Sequence, residues 1–315
     1  MEFRTLGELE VWHADSPLPV RGAVQRSVLA LLLLRANDVV RLEDLVEELW
    51  GAEAPQTAPK MIQNAVSQLR KSGMAEVLAT KAGGYTLQID PDQVDSTRFE
   101  RLLDRARESL AAGMPEVAEQ LLEQANGLWR GAPLADLAPE TFAQREIARL
   151  EELHLSATEC SIEAGLALGR HRDLTATLET LVRRHPLRET LRMQLMMSLY
   201  RSGRQADALA AYQAARACLR DEVGLEPSPA LQRLEQAILI QDPALDPFVH
   251  ASAEEPRAVR KTLTVLHGDL EREGRELDPE ALLSLSARVE HCLADAVASH
   301  GGTVSAASDV TFVAV

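Results

Sequence analysis

The sequence predicts a mostly α-helical protein with a small α+β domain at its N-terminus. The predicted order is a winged helix-turn-helix, then tetratricopeptide-like helical repeats, then an incomplete α/β segment. Short strands and three helices fill the first 95 residues, a repeat runs through the helical middle, and β-branched strands return near the C-terminus. These patterns divide the chain into domains at 1–95 and 96–242, a linker at 243–256 and a last segment at 257–315.

The first domain begins with two short strands, Phe3–Leu6 and Leu9–Trp12, and a turn around Asp15–Pro19. A helix from about Gly22 to Ala36 and a second helix from Leu42 to Trp50 follow. Apolar residues at helical spacing predict both helices. Strands, helices and a terminal hairpin within this length are typical of a winged helix-turn-helix.

The stretch from Thr57 to Ile89 is the centre of this domain. It predicts a helix over Thr57–Lys71, with Thr57 as N-cap, and a β-hairpin over Val77–Ile89 bent at Ala82-Gly83-Gly84. One side of the helix is apolar and the other carries long polar side chains. The apolar stripe is Ala58, Ile62, Ala65, Val66 and Leu69.

The polar side of this helix predicts contact with double-stranded DNA. Between Ala54 and Ile89 the chain carries four basic residues and one acid, whereas the whole chain has a net charge of −15. An acidic body repels nucleic acid and restricts contact to one basic patch. The alternative is an ordinary amphipathic helix whose polar face meets only solvent. The candidates for reading base edges are Lys60, Gln63, Asn64 and Ser67.

From Ser96 onward the pattern is helical, and it includes a long helix over about Pro139 to Leu168. The motif beginning Gly169-Arg170 recurs 34 residues later as Gly203-Arg204, which is the tetratricopeptide period. Such stacks form concave surfaces that bind proteins. The repeats could instead dimerise or pack on the winged helix, and the sequence leaves these alternatives open.

Several motifs of residues 1–242 together resemble the Streptomyces antibiotic regulatory protein (SARP) family. They are Gln25-Arg26, Leu49-Trp50-Gly51, Thr57-Ala58-Pro59-Lys60, Val66 to Arg70, Gly83-Gly84-Tyr85 and Asp95 to Glu100. The resemblance implies a winged-helix DNA-binding domain joined to a bacterial transcriptional activator domain. It also implies binding to direct repeats near the −35 element of promoters that control antibiotic gene clusters.

The implied partners are promoter DNA, RNA polymerase holoenzyme through its sigma, alpha and beta subunits, and a second copy of the chain, as a homodimer or a side-by-side pair on DNA. The resemblance and the basic residues also give the candidates for phosphate contact. These are Arg26, Thr57, Arg70, Lys71, Lys81, Gly83, Gly84 and Tyr85.

Residues 257–315 resemble the opening of a class III nucleotide cyclase domain. The matching stretches are Arg260 to Leu266, Leu277 to Leu282 and His300 to Val304, and they predict strands at Thr262–Leu266 and Thr311–Val315 around a helix at Pro279–His300. By position, Asp269 and Asp309 match the metal-binding aspartates of that family. The bulky acidic loop after Asp269 and the missing second half of the fold predict that these are vestigial and that no metal or cofactor is bound.

We therefore expect a cytoplasmic transcriptional activator that is not an enzyme and does not enter a membrane. Three scattered cysteines suggest a reducing compartment, and the longest apolar run, Val28–Leu34, is too short to span a bilayer. The rival hypotheses are a nucleotide-dependent sensor or enzyme that uses Asp269 and Asp309, and an adaptor whose winged helix is silent.

Overall fold

The computed structural model describes residues 1–245 and three further strands, Leu266–Asp269, Val304–Ala307 and Thr311–Ala314. Residues 1–245 fall within one compact unit. They are predominantly helical, with two small sheets near the N-terminus, which confirms the predicted fold class. In this part of the chain no helix has the length and apolar character needed to cross a membrane.

An antiparallel sheet opens the chain, in the order β1 (Glu2–Arg4), β2 (Glu10–His13) and β3 (Ser16–Leu18). The prediction of a turn at Asp15–Pro19 was wrong, because β3 occupies most of it. The turn lies at Ala14 and Asp15, which have φ angles of 45° and 62°. Positive φ at both central residues is typical of a two-residue hairpin. Pro17 is tolerated because β3 is an edge strand.

Three helices and a second sheet complete the winged helix. Helix α1 packs against α3, and α2 packs against both. The sheet has the order β4-β6-β5, so the strand that precedes α2 pairs with the second strand of the hairpin. The elements are α1 (Ala23–Leu34), β4 (Val40–Arg41), α2 (Leu42–Trp50), α3 (Ala58–Leu69), β5 (Leu78–Lys81) and β6 (Gly84–Leu87).

Seven helices follow within residues 1–245, and the last four share a core with the end of the third. Gly169 and Gly203 begin the two repeat motifs with φ angles of 81° and 80°, a left-handed conformation that glycine adopts without strain. Each therefore ends one helix just before the next begins. The helices are α4 (Asp95–Ala111), α5 (Pro115–Asn126), α6 (Thr141–Ala167), α7 (His171–Arg184), α8 (Glu189–Arg201), α9 (Gln205–Val223) and α10 (Pro229–Leu239).

The winged helix and the helical region share hydrogen bonds and core residues. The buried Asp95 carboxylate accepts hydrogen bonds from the Thr5 amide (2.7 Å), the Thr5 hydroxyl (2.8 Å) and the Leu6 amide (3.0 Å). Leu134 and Leu137 pack into the core of the winged helix. Residues 1–95 are thus joined to the next segment by a packed junction.

The predicted linker at 243–256 is described only at its start. Residues Pro243–Leu245 form one 3-10 turn, and the Leu245 carbonyl accepts a hydrogen bond from Arg201 Nε at 2.8 Å. Leu245 also packs against the core of the last helices. This first part of the segment therefore belongs to the packed helical region.

Three rings meet between α4, α6 and the segment after α5. Trp129 and His154 are stacked with centroids 4.0 Å apart, and Phe99 meets the Trp129 ring edge-on at 5.3 Å. Half-burial of His154 disfavours its charged form and lowers its pKa below the ordinary value. The folded chain therefore binds fewer protons than the unfolded chain in the window between the lowered pKa and about 6.5.

Stability should accordingly fall as the pH drops below about 6.5 and stop falling once the folded-state pKa is passed. His154→Phe keeps a ring at this position and cannot be protonated, so it should lose less stability than the natural chain between pH 7.5 and 5.5. Urea unfolding at both pH values measures this difference. The exposed His13→Gln is the control, and equal losses in all three proteins would contradict the prediction.

The three C-terminal strands are β7 (Leu266–Asp269), β8 (Val304–Ala307) and β9 (Thr311–Ala314), paired antiparallel in the order β7-β9-β8. Strand β9 matches the predicted strand at Thr311–Val315, and β7 begins where the predicted strand at Thr262–Leu266 ends. The predicted helix at Pro279–His300 lies outside the described residues. Asp269 is the last residue of β7, and Asp309 also lies outside them.

Candidate nucleic-acid interface

Helix α3 buries its apolar stripe and exposes the opposite side. Ala58, Ile62 and Leu69 have no exposed surface, and Ala65 and Val66 are nearly as deeply buried against α1 and α2. This burial fixes the rotation of the helix, because turning it would expose the whole stripe. The four predicted reading residues, Lys60, Gln63, Asn64 and Ser67, are all exposed.

The exposed side of α3 has the chemistry that base edges require. Amides such as Gln63 and Asn64 can pair with adenine by donating and accepting together, and Lys60 can donate to guanine. Gln68, which the sequence interpretation left out, is exposed one helical turn after Asn64 and extends this face. Three of the four lysines of the chain, Lys60, Lys71 and Lys81, are exposed on this helix or on the segment after it.

Arg70 fastens the end of α3 to the hairpin. Its Nε donates to the Leu78 carbonyl at 2.9 Å and its Nη2 donates to the Thr80 hydroxyl at 2.7 Å. Both acceptors lie on β5, the first strand of the wing. Arg70 therefore holds the wing beside the helix, and this structural task occupies two of its three nitrogens.

The tip of the wing carries cations from two strands. Lys81 is exposed and stands opposite Gly84 in the β5–β6 pair, and Arg41 is exposed and stands opposite Gly84 in the β4–β6 pair. The Leu42 amide donates to the Gly83 carbonyl at 3.1 Å, which closes the tip onto the start of α2. The sequence interpretation missed Arg41, since only the strand register brings it level with Lys81 on the other side of Gly84.

Arg26 is placed away from this face. Its Nε pairs with the Asp136 carboxylate, and its Nη2 donates to the Leu9 carbonyl at 2.7 Å. Asp136 also accepts a hydrogen bond from the Leu9 amide at 2.8 Å. This partly buried network joins the first sheet to the helical region, so we withdraw Arg26 from the candidates for phosphate contact.

Three other candidates for phosphate contact, Gly84, Tyr85 and Thr57, have surroundings that the sequence did not predict. Gly84 is buried, and a Cβ at this position would lie 2.0 Å from the Val40 carbonyl oxygen. Only glycine therefore leaves room for β4 to pair with β6. Tyr85 is half buried against the core of the winged helix. Thr57 is exposed, but its hydroxyl does not cap α3 and lies 3.7 Å from Met61 Sδ. Gly83 is exposed at the turn, with φ of 82°.

The described part of the chain contains no group of three or more histidine, cysteine, aspartate or glutamate side chains that could hold a metal ion. The candidate site in these residues is the exposed surface of amides, hydroxyls and cations on α3 and the wing. A helix of this kind, braced by two others and flanked by a hairpin, defines a winged-helix DNA-binding regulator.

Comparison with known proteins places the chain within this class. The family model of the bacterial transcriptional activator domain matches residues 94–239. The regulatory protein DnrI of Streptomyces peucetius is 38% identical over 267 residues, covering 80% of this chain and 98% of DnrI. The regulatory protein AfsR of Streptomyces coelicolor is 38% identical over 255 residues, covering 81% of this chain and 26% of AfsR.

A solved structure agrees with these matches. EmbR of Mycobacterium tuberculosis, in complex with a low affinity phosphopeptide, superposes with a TM-score of 0.74 at 36% identity, covering 79% of this chain and 67% of that one. The chain belongs to the SARP family of bacterial transcriptional activators. The matched domain ends at residue 239, and the cyclase-like resemblance of residues 257–315 stays a prediction.

Proposed function

We propose that this chain activates transcription by reading promoter DNA with the exposed face of α3 while the wing contacts the phosphate backbone. Lys60, Gln63, Asn64 and Ser67 would contact base edges, and Gln68 extends that set. The observation that supports this assignment most directly is the burial of the opposite stripe of α3, which leaves these side chains facing solvent.

We assign the proposed phosphate contacts to the exposed cations near α3 and the wing tip. Lys71, Lys81 and Arg41 would neutralise phosphates, since each is exposed next to α3 or at the wing tip. The remaining nitrogen of Arg70 could join them, and the exposed Thr57 and Gly83 lie where the helix and the wing present backbone to a duplex. Tyr85 would act indirectly, by packing the wing against the core of the winged helix.

We further propose that two copies bind direct repeats near the −35 element, as a homodimer or a side-by-side pair, and recruit RNA polymerase holoenzyme. In this proposal the helical region faces the second copy or the sigma, alpha or beta subunits. The names of the relatives support a regulator, and the genes controlled would belong to an antibiotic cluster. Such a protein acts in the cytoplasm, where its promoter lies.

The assignment of roles is tested by a binding competition between promoter sequences. Asn64→Ala should reorder the sequence preference, because losing one bidentate amide removes about 1–3 kcal/mol of discrimination at one base pair. Lys81→Ala should weaken binding to all sequences alike and reduce the slope of log K against log salt by about 1. Gel shifts at several salt concentrations measure both effects.

Arg172→Ala is the matched control, because Arg172 is an exposed cation on α7, outside the winged helix. It should leave both preference and salt slope unchanged. An unaltered preference order in Asn64→Ala would show that the reading face is assigned wrongly. Absence of any shift with the natural chain would favour the adaptor hypothesis, and adding polymerase holoenzyme to the shifted complex tests recruitment.

A further inference from the structure

A cavity of about 940 Å³ lies between α1, α2 and the start of α6. It is away from the exposed face of α3, and its lining comes from both the winged helix and the helical region. Trp50 at the end of α2 and Phe142 on α6 contribute aromatic surface, and leucines of α1 add to the apolar lining. Its volume falls within the range of cavities that hold small molecules.

The charges of the lining are separated between the two walls. On the winged-helix side, Glu48 is paired with Arg35 at 2.8 Å, while Asp44 and Glu47 of α2 also line the cavity. Arg145 of α6 lines the opposite wall, and in the described part of the chain no ion pair joins it to either acid. Once the Glu48–Arg35 pair is set aside, the lining has two carboxylates, Asp44 and Glu47, and one cation, Arg145.

We propose that this cavity binds a small organic cation with an aromatic body. The ring would cover apolar lining around Trp50 and Phe142, and the cationic group would lie towards the Asp44 and Glu47 carboxylates. A cation beside an indole face is attracted by the ring as well as by the carboxylates. A ligand in this cavity would contact α2, and α2 packs directly against α3, whose exposed side is the proposed DNA-reading face.

The probes for the test are naphthylmethylamine and naphthylacetate, which share a ring and differ in the sign of their charge. The full chain is labelled with fluorotryptophan, and its three tryptophans give fluorine NMR signals in which Trp50 is assigned from Trp50→Phe. The amine should shift the Trp50 signal to saturation with a Kd of about 1 mM or tighter. The carboxylate should bind about tenfold more weakly.

Substitutions in the two walls should act in opposite directions. Asp44→Asn and Glu47→Gln should each weaken binding of the amine by about threefold, and Arg145→Glu should tighten it by about threefold, as expected for charges that are exposed or only partly buried. Glu43→Gln is the matched control, because Glu43 is an exposed acid of α2 outside the lining. It should leave the Kd within a factor of about 1.5.

Three results would overturn the proposal. The first is a Trp50 signal that the amine does not shift. The second is equal binding of amine and carboxylate, which would mean that the acidic wall plays no part. The third is an equal loss in Glu43→Gln and Asp44→Asn, which would assign the effect to the general charge of α2 and not to the cavity.

Discussion

Asp95→Ala should lower the free energy of unfolding of the chain by about 4 kcal/mol, because it leaves several buried donors without acceptors. Asp95 is 1% exposed, and its carboxylate accepts hydrogen bonds from the amides of Thr5 and Leu6 and from the amide of its neighbour Ser96 at 2.8 Å. Each unsatisfied buried donor costs about 1–3 kcal/mol. Urea unfolding with a probe of overall helicity measures the loss.

The control for this change is Asp104→Ala on the same helix. Asp104 is exposed and pairs with Arg107 at 3.0 Å across one helical turn, so its loss should cost about 0.5 kcal/mol or less. The loss of unfolding free energy in Asp95→Asn should lie between those of Asp95→Ala and Asp104→Ala. The new side-chain amide keeps one oxygen acceptor, but its NH2 group faces the donors of Thr5 and Leu6. A loss below about 1 kcal/mol in Asp95→Ala would contradict the role given to this junction.

Gly84→Ala should destabilise the wing by about 3 kcal/mol and weaken DNA binding by about tenfold or more. The new Cβ would lie 2.0 Å from the Val40 carbonyl oxygen and 2.9 Å from the Arg41 Cα. Backbone atoms cannot move aside as a flexible side chain does, so β4 and β6 must separate. Separation of these strands moves Arg41 away from Lys81 and disrupts the pair of cations at the wing tip.

Comparison of Gly83→Ala with Gly84→Ala separates two costs of replacing a glycine, namely a steric clash of the new Cβ and strain of a backbone with positive φ. Gly83 has φ of 82°, but a Cβ there meets no atom within 4 Å, so the cost is only that of a left-handed alanine, about 1–2 kcal/mol. Urea unfolding and gel shifts of both variants give the comparison. If Gly83→Ala proved the more damaging of the two, the close approach of β4 would not be the reason for glycine at position 84.

The sequence alone predicted the elements whose signals are local. The period of Ile62, Val66 and Leu69 fixed which side of α3 is buried, and the turn glycines marked the hairpin. The repeated Gly169 and Gly203 motifs marked the helical repeat. Each of these signals depends on residues within one element, where spacing determines the face.

What the sequence did not predict depends on pairing between distant residues. Arg26 reads locally as a free cation at the start of a helix, and nothing near it indicates Asp136, 110 residues away. The register of β4 against β6 brings Arg41 to the wing tip and explains Gly84, and register cannot be read from either strand alone. Pro17 reads as a turn residue until its strand is known to be an edge.

The hydrogen bonds of Asp95 and the Arg26–Asp136 ion pair join the winged helix to the helical region through packed contacts and not through a flexible linker. If α3 binds DNA as proposed, these contacts would carry the helical region to a defined side of the duplex. Since DNA turns once in about 10.5 base pairs, moving a site by half a turn would bring that region to the opposite side. Promoter spacing, and not a flexible tether, would then decide what the helical region can reach.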